Sequence, residues 1–308
     1  MAWFLVKRLL QGVLVMVLVA SAVFLITRVV TNPALAFLPL NASKAQRADT
    51  LAYLGLDKSL LAQYWTYLGQ LAHLDFGNSF FIQGESAFKI VRDAVPATLL
   101  LDTVAIVIAL VIAMPLGIIA ALRPGSKLDK ATTTVSLLGL SAPQFWLGFM
   151  LVLIFGVHLK WFPTSGDLGP TAIVLPALAL ALPTAGKIAQ LMRSAMIDEL
   201  DQPYILTARS KGMGGFHRIY HHALRHCLVT VMTQASFEYA RMLAGYTVVV
   251  EVVFAWPGLG QLTVQALNDQ DLVVLQAIVI VTAGLIVLVN LITDILYSVI
   301  DPRIEATA

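Results

Sequence analysis

One cysteine, Cys227, and charge on only 12% of residues mark this chain by what it has little of. A lone cysteine forms no internal disulfide and leaves no thiolate set for a metal. Charge that sparse, beside 58% hydrophobic residues, does not clothe the surface of a soluble protein of 308 residues. The net charge of +2 is small, and Lys and Arg form no stripe with interleaved aromatics, so nucleic-acid binding lacks support. No Gly-x-x-x-x-Gly-Lys-Ser/Thr phosphate loop occurs, so the chain does not energise itself through the usual nucleotide site. No Gly-x-Ser-x-Gly nucleophile motif is present either. What remains is an integral membrane protein.

A helix needs roughly 20 apolar residues to cross the hydrocarbon, because its backbone polar groups must be satisfied internally. Six stretches meet that length: about Leu9–Val30, Ala97–Leu122, Thr132–Val157, Thr171–Met192, Leu228–Phe254 and Leu272–Ile300. The first imitates a signal peptide but stays apolar past Ala20-Ser21-Ala22, and is read as an uncleaved span. The fold class expected is all-α, a polytopic membrane protein with six transmembrane helices. Pro115, Pro143, Pro176 and Pro183 fall inside spans, where each removes a donor and favours a kink.

Lys and Arg of the short loops set orientation. Lys7, Arg8, Arg123, Lys127, Lys130, Arg193, Arg209, Lys211, Arg218, Arg225 and Arg303 gather on one side, and only Lys160 on the other. Both termini are therefore expected in the cytoplasm. Residues 31–95 form an outer segment in which Asp57 is expected to cap a helix reaching about Leu74. Its Leu60, Leu61, Tyr64, Trp65, Leu68 and Leu71 make a stripe for packing on other spans or for the headgroup level. Asp75-Phe76-Gly77-Asn78-Ser79 reads as a turn.

The loop 194–227 carries the strongest local signal. Pro203 suits the first turn of a helix and Gly212 the position past its end, with Arg209 and Lys211 complementing the dipole. That gives about two turns with a small apolar face of Tyr204, Ile205 and Ala208. A second helix from about Phe216 places Phe216, Ile219, Tyr220, Ala223 and Leu224 on one face. Periodicity leaves two readings equal: insertion into a partner's groove, or packing on this chain's own spans.

Ionisable residues inside the spans are few. Glu238 and Arg241, three apart, face each other on a helix and serve either as a pore-lining pair or as a structural one. Glu251 is open between gate and structural acceptor. Lys187 is expected to snorkel to the interface. His217 with His221, and His222 with His226, have ligand spacing but lack partners to complete a site, and a basic contact surface is favoured over a metal.

Thr207-Ala208-Arg209-Ser210-Lys211-Gly212 and His222-Ala223-Leu224-Arg225 resemble the cytoplasmic loop signature of the dipeptide, oligopeptide and nickel permeases of ATP-binding cassette importers, the B-type subunit. Leu54-Gly55-Leu56-Asp57, Asp75 to Ser79, Leu175-Pro176, Arg193-Ser194, Glu251 with Trp256-Pro257-Gly258-Leu259-Gly260, and Asp301-Pro302-Arg303 match in the same order over nearly the whole chain. The chain departs at Thr31-Asn32-Pro33-Ala34, where the family usually has Pro-Gly-Asp-Pro. It departs again at Leu206, where Arg is common, and at Glu238 and Arg241.

The resemblance implies a type I importer transmembrane fold, one permease domain over 1–308, in a bacterial cytoplasmic (inner) membrane. It implies half of a pore importing di- or oligopeptides or a related small ligand, with no catalytic residues and no cofactor on this chain. Partners would be a second homologous permease, two ATPase subunits carrying ATP and Mg, and an extracytoplasmic substrate-binding protein. Tyr204, Ile205, Thr207, Ala208, Arg209, Lys211, Gly212, His222 and Arg225 would engage the ATPase, and Glu238, Arg241 and Glu251 would line the pathway. The rivals are an ion-gradient-driven secondary transporter and a non-transporting scaffold.

Overall fold

The computed structural model describes residues 2–30, 57–79, 81–82, 84–166 and 169–300. The Thr31 to Ala34 departure, Leu54 to Leu56 and the Asp301-Pro302-Arg303 ending lie outside them. Among the described residues the structure is helical, with no strand and a single bridge between Asn78 and Ser86.

The helices are α1 (Ala2–Leu25), α2 (Leu60–Ala72), α3 (Ala87–Leu122), α4 (Lys127–Ser141), α5 (Gln144–Leu151), α6 (Val174–Leu200), α7 (Pro203–Ser210), α8 (Leu224–Arg241), α9 (Thr247–Phe254), α10 (Leu259–Asn268) and α11 (Leu272–Ile300). A short helix, Gly215–His217, and wide π-type turns at Arg218–Ala223 and Met242–Tyr246 join α8 and α9 into one path, 215–254.

Four unbroken helices are long and apolar enough to cross a membrane: Val6–Arg28, Ala87–Leu122, Val174–Leu200 and Leu272–Leu296. Two further candidates are bent pairs, Lys127–Gly139 with Gln144–His158 and Gly215–Phe254 with Leu259–Asn268, giving up to six. The third expected span is therefore interrupted. Pro143 brings no donor and pushes Ala142 into an extended conformation (φ −81°, ψ 127°), which ends α4. Not every proline kinks: Pro176 lies in the first turn of α6, where no intrahelical donor is lost, while Pro183 lies in its interior.

Two compact units divide the chain: residues 1–96 with 261–287, and 97–260 with 288–308. In the first, Phe24 of α1 meets Tyr64 and Tyr67 of α2 at ring distances of 5.3 and 5.5 Å, and Ser21 shares a 2.7 Å hydrogen bond with the Tyr64 hydroxyl. The stripe on α2 thus packs in part, while Leu61 and Trp65 face outward. Ser59, not Asp57, caps α2, its Oγ accepting from the Ala62 N–H; it stands two residues nearer the helix, at the N-cap itself. The expected turn at Asp75 to Ser79 forms: the Gly77 N–H donates to Asp75 Oδ1 at 3.0 Å, with Gly77 at φ +87°.

The second unit is built around α6. Leu175, Leu180, Ile188, Met192 and Met196 are wholly buried, and small residues such as Ala177, Ala181 and Ala189 let neighbouring helices approach closely. At the end nearer the loop, Asp129 of α4 is buried. It accepts two hydrogen bonds from the Arg193 guanidinium of α6 and one, at 2.8 Å, from the Gly125 N–H. This fork ties α4 to the helix from which the loop departs.

Candidate functional site: the loop and the buried polar helices

Helix α7 starts at Pro203, with Gln202 extended before it, and ends as expected. Gly212 stands in the left-handed region at φ +77°, and the Met213 N–H donates to the Ala208 carbonyl at 3.1 Å. Its two faces go to different places. Ile205 is buried in the core that holds Met196, Ala223 and Cys227. Leu206, Thr207, Arg209, Lys211 and Gly212 are exposed, and Ala208 is half-buried. Of the two readings left equal by periodicity, packing on the chain claims Ile205 on α7, and Ala223 with Ile219 and Leu224 in the segment that follows.

The Tyr204 ring is partly exposed, and its hydroxyl donates to the Glu199 carboxylate at the end of α6. Burial and that neighbouring carboxylate push the phenol well above its ordinary pKa, so it remains a donor at any physiological pH. This bond holds the start of α7 on the end of α6.

In the following segment Ala223 is fully buried, whereas Phe216 is 71% exposed and the Tyr220 ring packs against it, tilted by 30° with centroids 4.3 Å apart. Together with Leu206 at 50%, they leave apolar surface uncovered beside the charged edge of α7. Arg225 is exposed. His222 is half-buried, and its buried Nε2 has no hydrogen-bond partner among the described residues. His217 and His221 stack at 4.2 Å, but among the described residues no group of three or more His, Cys, Asp or Glu is placed to hold a metal.

Glu238 is 1% exposed and engages more than Arg241. Lys187 Nζ of α6 lies 3.1 and 3.0 Å from its two oxygens, Gln234 Nε2 donates to Oε1 at 2.9 Å, and Arg241 Nη1 donates to Oε1 at 3.2 Å. Lys187 does not snorkel. A buried carboxylate one helix away holds its ammonium more strongly than the interface would, and the Tyr246 ring lies 5.8 Å from it.

Near the other end of the same path, two acids bridge α3 and α9 reciprocally. Thr98 donates to Glu251 Oε1 at 2.7 Å, and Thr247 donates to Asp102 Oδ1 at 2.5 Å. Glu251 is fully buried, and its Oε2 accepts the Gly260 N–H at 2.6 Å. Trp256 Nε1 donates to the Ala97 carbonyl at 3.0 Å, and the Leu259 N–H donates to Thr98 Oγ at 2.8 Å. The Trp256 to Gly260 motif is thus the rim of a clasp around one carboxylate. Thr98, Asp102 and Thr247 were missed in the sequence, although two i, i+4 Thr/acid pairs, one on each helix, were there to find.

Residues 113–306 match the family described as binding-protein-dependent transport system inner membrane component, and residues 1–102 match the N-terminal part of such components. The chain belongs to this family. It is 34% identical over 316 aligned positions to the oligopeptide transport system permease protein AppB of Bacillus subtilis, covering 99% of this chain and all of that one. It is also 35% identical to a putative peptide transport system permease of Brucella abortus, covering 97% and 98%. The fold resembles a chain of the MetNI methionine ABC transporter (TM-score 0.60, 19% identity, 69% of this chain and 96% of that one).

The chain is therefore a permease subunit of an ABC importer with the type I transmembrane fold, a multi-pass inner-membrane protein and not an enzyme. Family membership implies a complex with ATPase and substrate-binding partners.

Proposed function

We propose that this permease is one half of a heterodimeric pore importing short peptides or a chemically related small ligand, and that the loop 203–226 transmits the stroke of an ATPase pair. The supporting observation is the divided character of α7: Ile205 roots it in the chain's own core, while Leu206, Arg209, Lys211 and Gly212 stand outward. An element anchored on one face and open on the other transfers a push to whatever it is rooted in. Here that is α6 and, through Arg193 and Asp129, α4.

The ATPases must bind two permease states with different affinity, since equal affinity shifts no equilibrium. In this reading ATP, with Mg, closes the two ATPase subunits. Their clefts carry α7 inward, and the spans rock to open the pore outward. Hydrolysis returns them. Arg209 and Lys211 make charged contacts, with Thr207 and Arg225 beside them. Ala208 and Gly212 permit close approach, and Leu206, Phe216 and Tyr220 supply apolar contact. Tyr204 holds the loop to its base through Glu199, and His222 belongs to the coupling surface.

Glu238 and Arg241 belong to the pathway wall, while Glu251, with both oxygens engaged, braces that wall. Both termini lie in the cytoplasm, and a substrate-binding protein presents solute from outside. The peptide assignment draws on the names of the relatives in Bacillus and Brucella. Reconstitution with co-expressed ATPases tests the reading. Vanadate-sensitive peptide uptake supports it; uptake that ignores vanadate and collapses with the proton gradient refutes it.

A further inference from the structure

Three polar side chains converge on Glu238, and two of them are cations: Lys187 and Arg241 face a single carboxylate. The cluster carries one positive charge in excess, well inside the helical path 215–254. The excess is not shared evenly. Lys187 touches both oxygens of Glu238 and is largely covered, at 27% exposure. Arg241 reaches Glu238 through Nη1 alone, at 3.2 Å, and its side chain is 54% exposed. A guanidinium has five N–H donors in a planar fork, which matches a carboxylate two bonds at a time. An unneutralised cation at membrane depth is costly against lipid, and such residues face a cavity or a partner helix.

We infer that Arg241 is a receptor for a carboxylate on the passing solute, positioned by Glu238, whose own charge is answered by Lys187. This rests on the reading of the chain as a pore-forming half of an importer. Oε1 of Glu238 accepts from Gln234, Lys187 and Arg241 together, which fixes the carboxylate and thereby the near side of the guanidinium. The far side stays open to solute. For a peptide the complementary group is the C-terminal carboxylate or an acidic side chain, and the two share the same chemistry.

The test uses the complete importer in proteoliposomes and one tripeptide in three forms: free acid, C-terminal amide, and C-terminal amide with a glutamate side chain. Each variant's acid-to-amide uptake ratio is divided by the wild-type ratio, which cancels selection by the substrate-binding protein. Arg241→Gln is expected to lower that ratio on the order of tenfold, the value of one charge-assisted pair, and Arg241→Lys to lower it less. Recovery of uptake by the glutamate-bearing amide would assign the site to any carboxylate; no recovery would assign it to the chain terminus.

An unchanged ratio in Arg241→Gln overturns the inference, as does loss of all three forms alike in both variants. Restoration of the wild-type ratio by Glu238→Gln with Arg241→Gln overturns it too, since only a structural pair is satisfied by two neutral amides. Failure of the wild-type complex to take up any form would instead count against the peptide reading itself.

Discussion

Replacing Gly258 by alanine asks whether the clasp around Glu251 is as tight as the geometry requires. A Cβ at Gly258 would stand 2.0 Å from Glu251 Oε1, 2.4 Å from its Cδ and 2.5 Å from Oε2. Unstrained C···O contacts begin at about 3.3 Å, so the carboxylate must retreat by more than an ångström. It has nowhere to go without loss: Oε1 is held by Thr98 at 2.7 Å, Oε2 by the Gly260 N–H at 2.6 Å, and the residue has no exposed surface. Breaking both bonds to a buried carboxylate costs about 3–6 kcal/mol before relaxation. At about 2–4 °C per kcal/mol, Gly258→Ala should melt roughly 6–24 °C below wild type in detergent. The cause is separable by a double-mutant cycle. In a Glu251→Ala background the clash partner is gone, and the alanine should cost less than about 3 °C more. A wild-type melting point for Gly258→Ala, or the same penalty with and without Glu251, would refute the reasoning.

Other outcomes follow from the same geometry. Arg193→Leu strands the buried Asp129 and should lower the melting temperature more than Lys130→Leu on an exposed position of the same helix; equal effects would contradict the fork between α4 and α6. Because Cys227 is the only cysteine and is buried, Ser210→Cys adds a single reactive thiol. A membrane-impermeant maleimide should label it only after the cells are opened, and labelling of intact cells would invert the topology. Phe216→Asp and Leu206→Asp should each weaken retention of the ATPase during purification while leaving the permease folded, because both side chains stand clear of the core; undiminished retention would remove them from the docking surface.

The apolar runs were legible because crossing hydrocarbon demands a minimum length whatever the tertiary context. Pro203 and Gly212 were legible for a similar reason: helix starts and stops are local chemistry. What failed was what depends on direction and distance. Hydropathy counts residues and is blind to the extended backbone that Pro143 forces on Ala142, so it predicts one continuous span where the helix breaks. Spacing alone directs Lys187 to the interface because its acceptor lies 51 residues away, and it shows Arg193 without its partner 64 residues away. Glu251 was visible as a motif residue, yet its function as a clasp needs Thr98, 153 positions earlier. Asp57 lost the cap to Ser59 because capping depends on which oxygen reaches the first free N–H, and two residues decide that.

The loop as the point of coupling is tested most directly at Gly212. Among the described residues, sequence neighbours aside, nothing lies within 4 Å of where its Cβ would be, so a side chain there meets only a partner and a strained φ of +77°. The measurement is solute imported per ATP hydrolysed by the reconstituted complex, for wild type, Gly212→Asn and Gly212→Trp. Asn tolerates the left-handed backbone and isolates the effect of strain. The expected result is sustained hydrolysis in both variants, with the transport ratio falling modestly for Asn and collapsing for Trp. A wild-type ratio with tryptophan at that position would contradict the account.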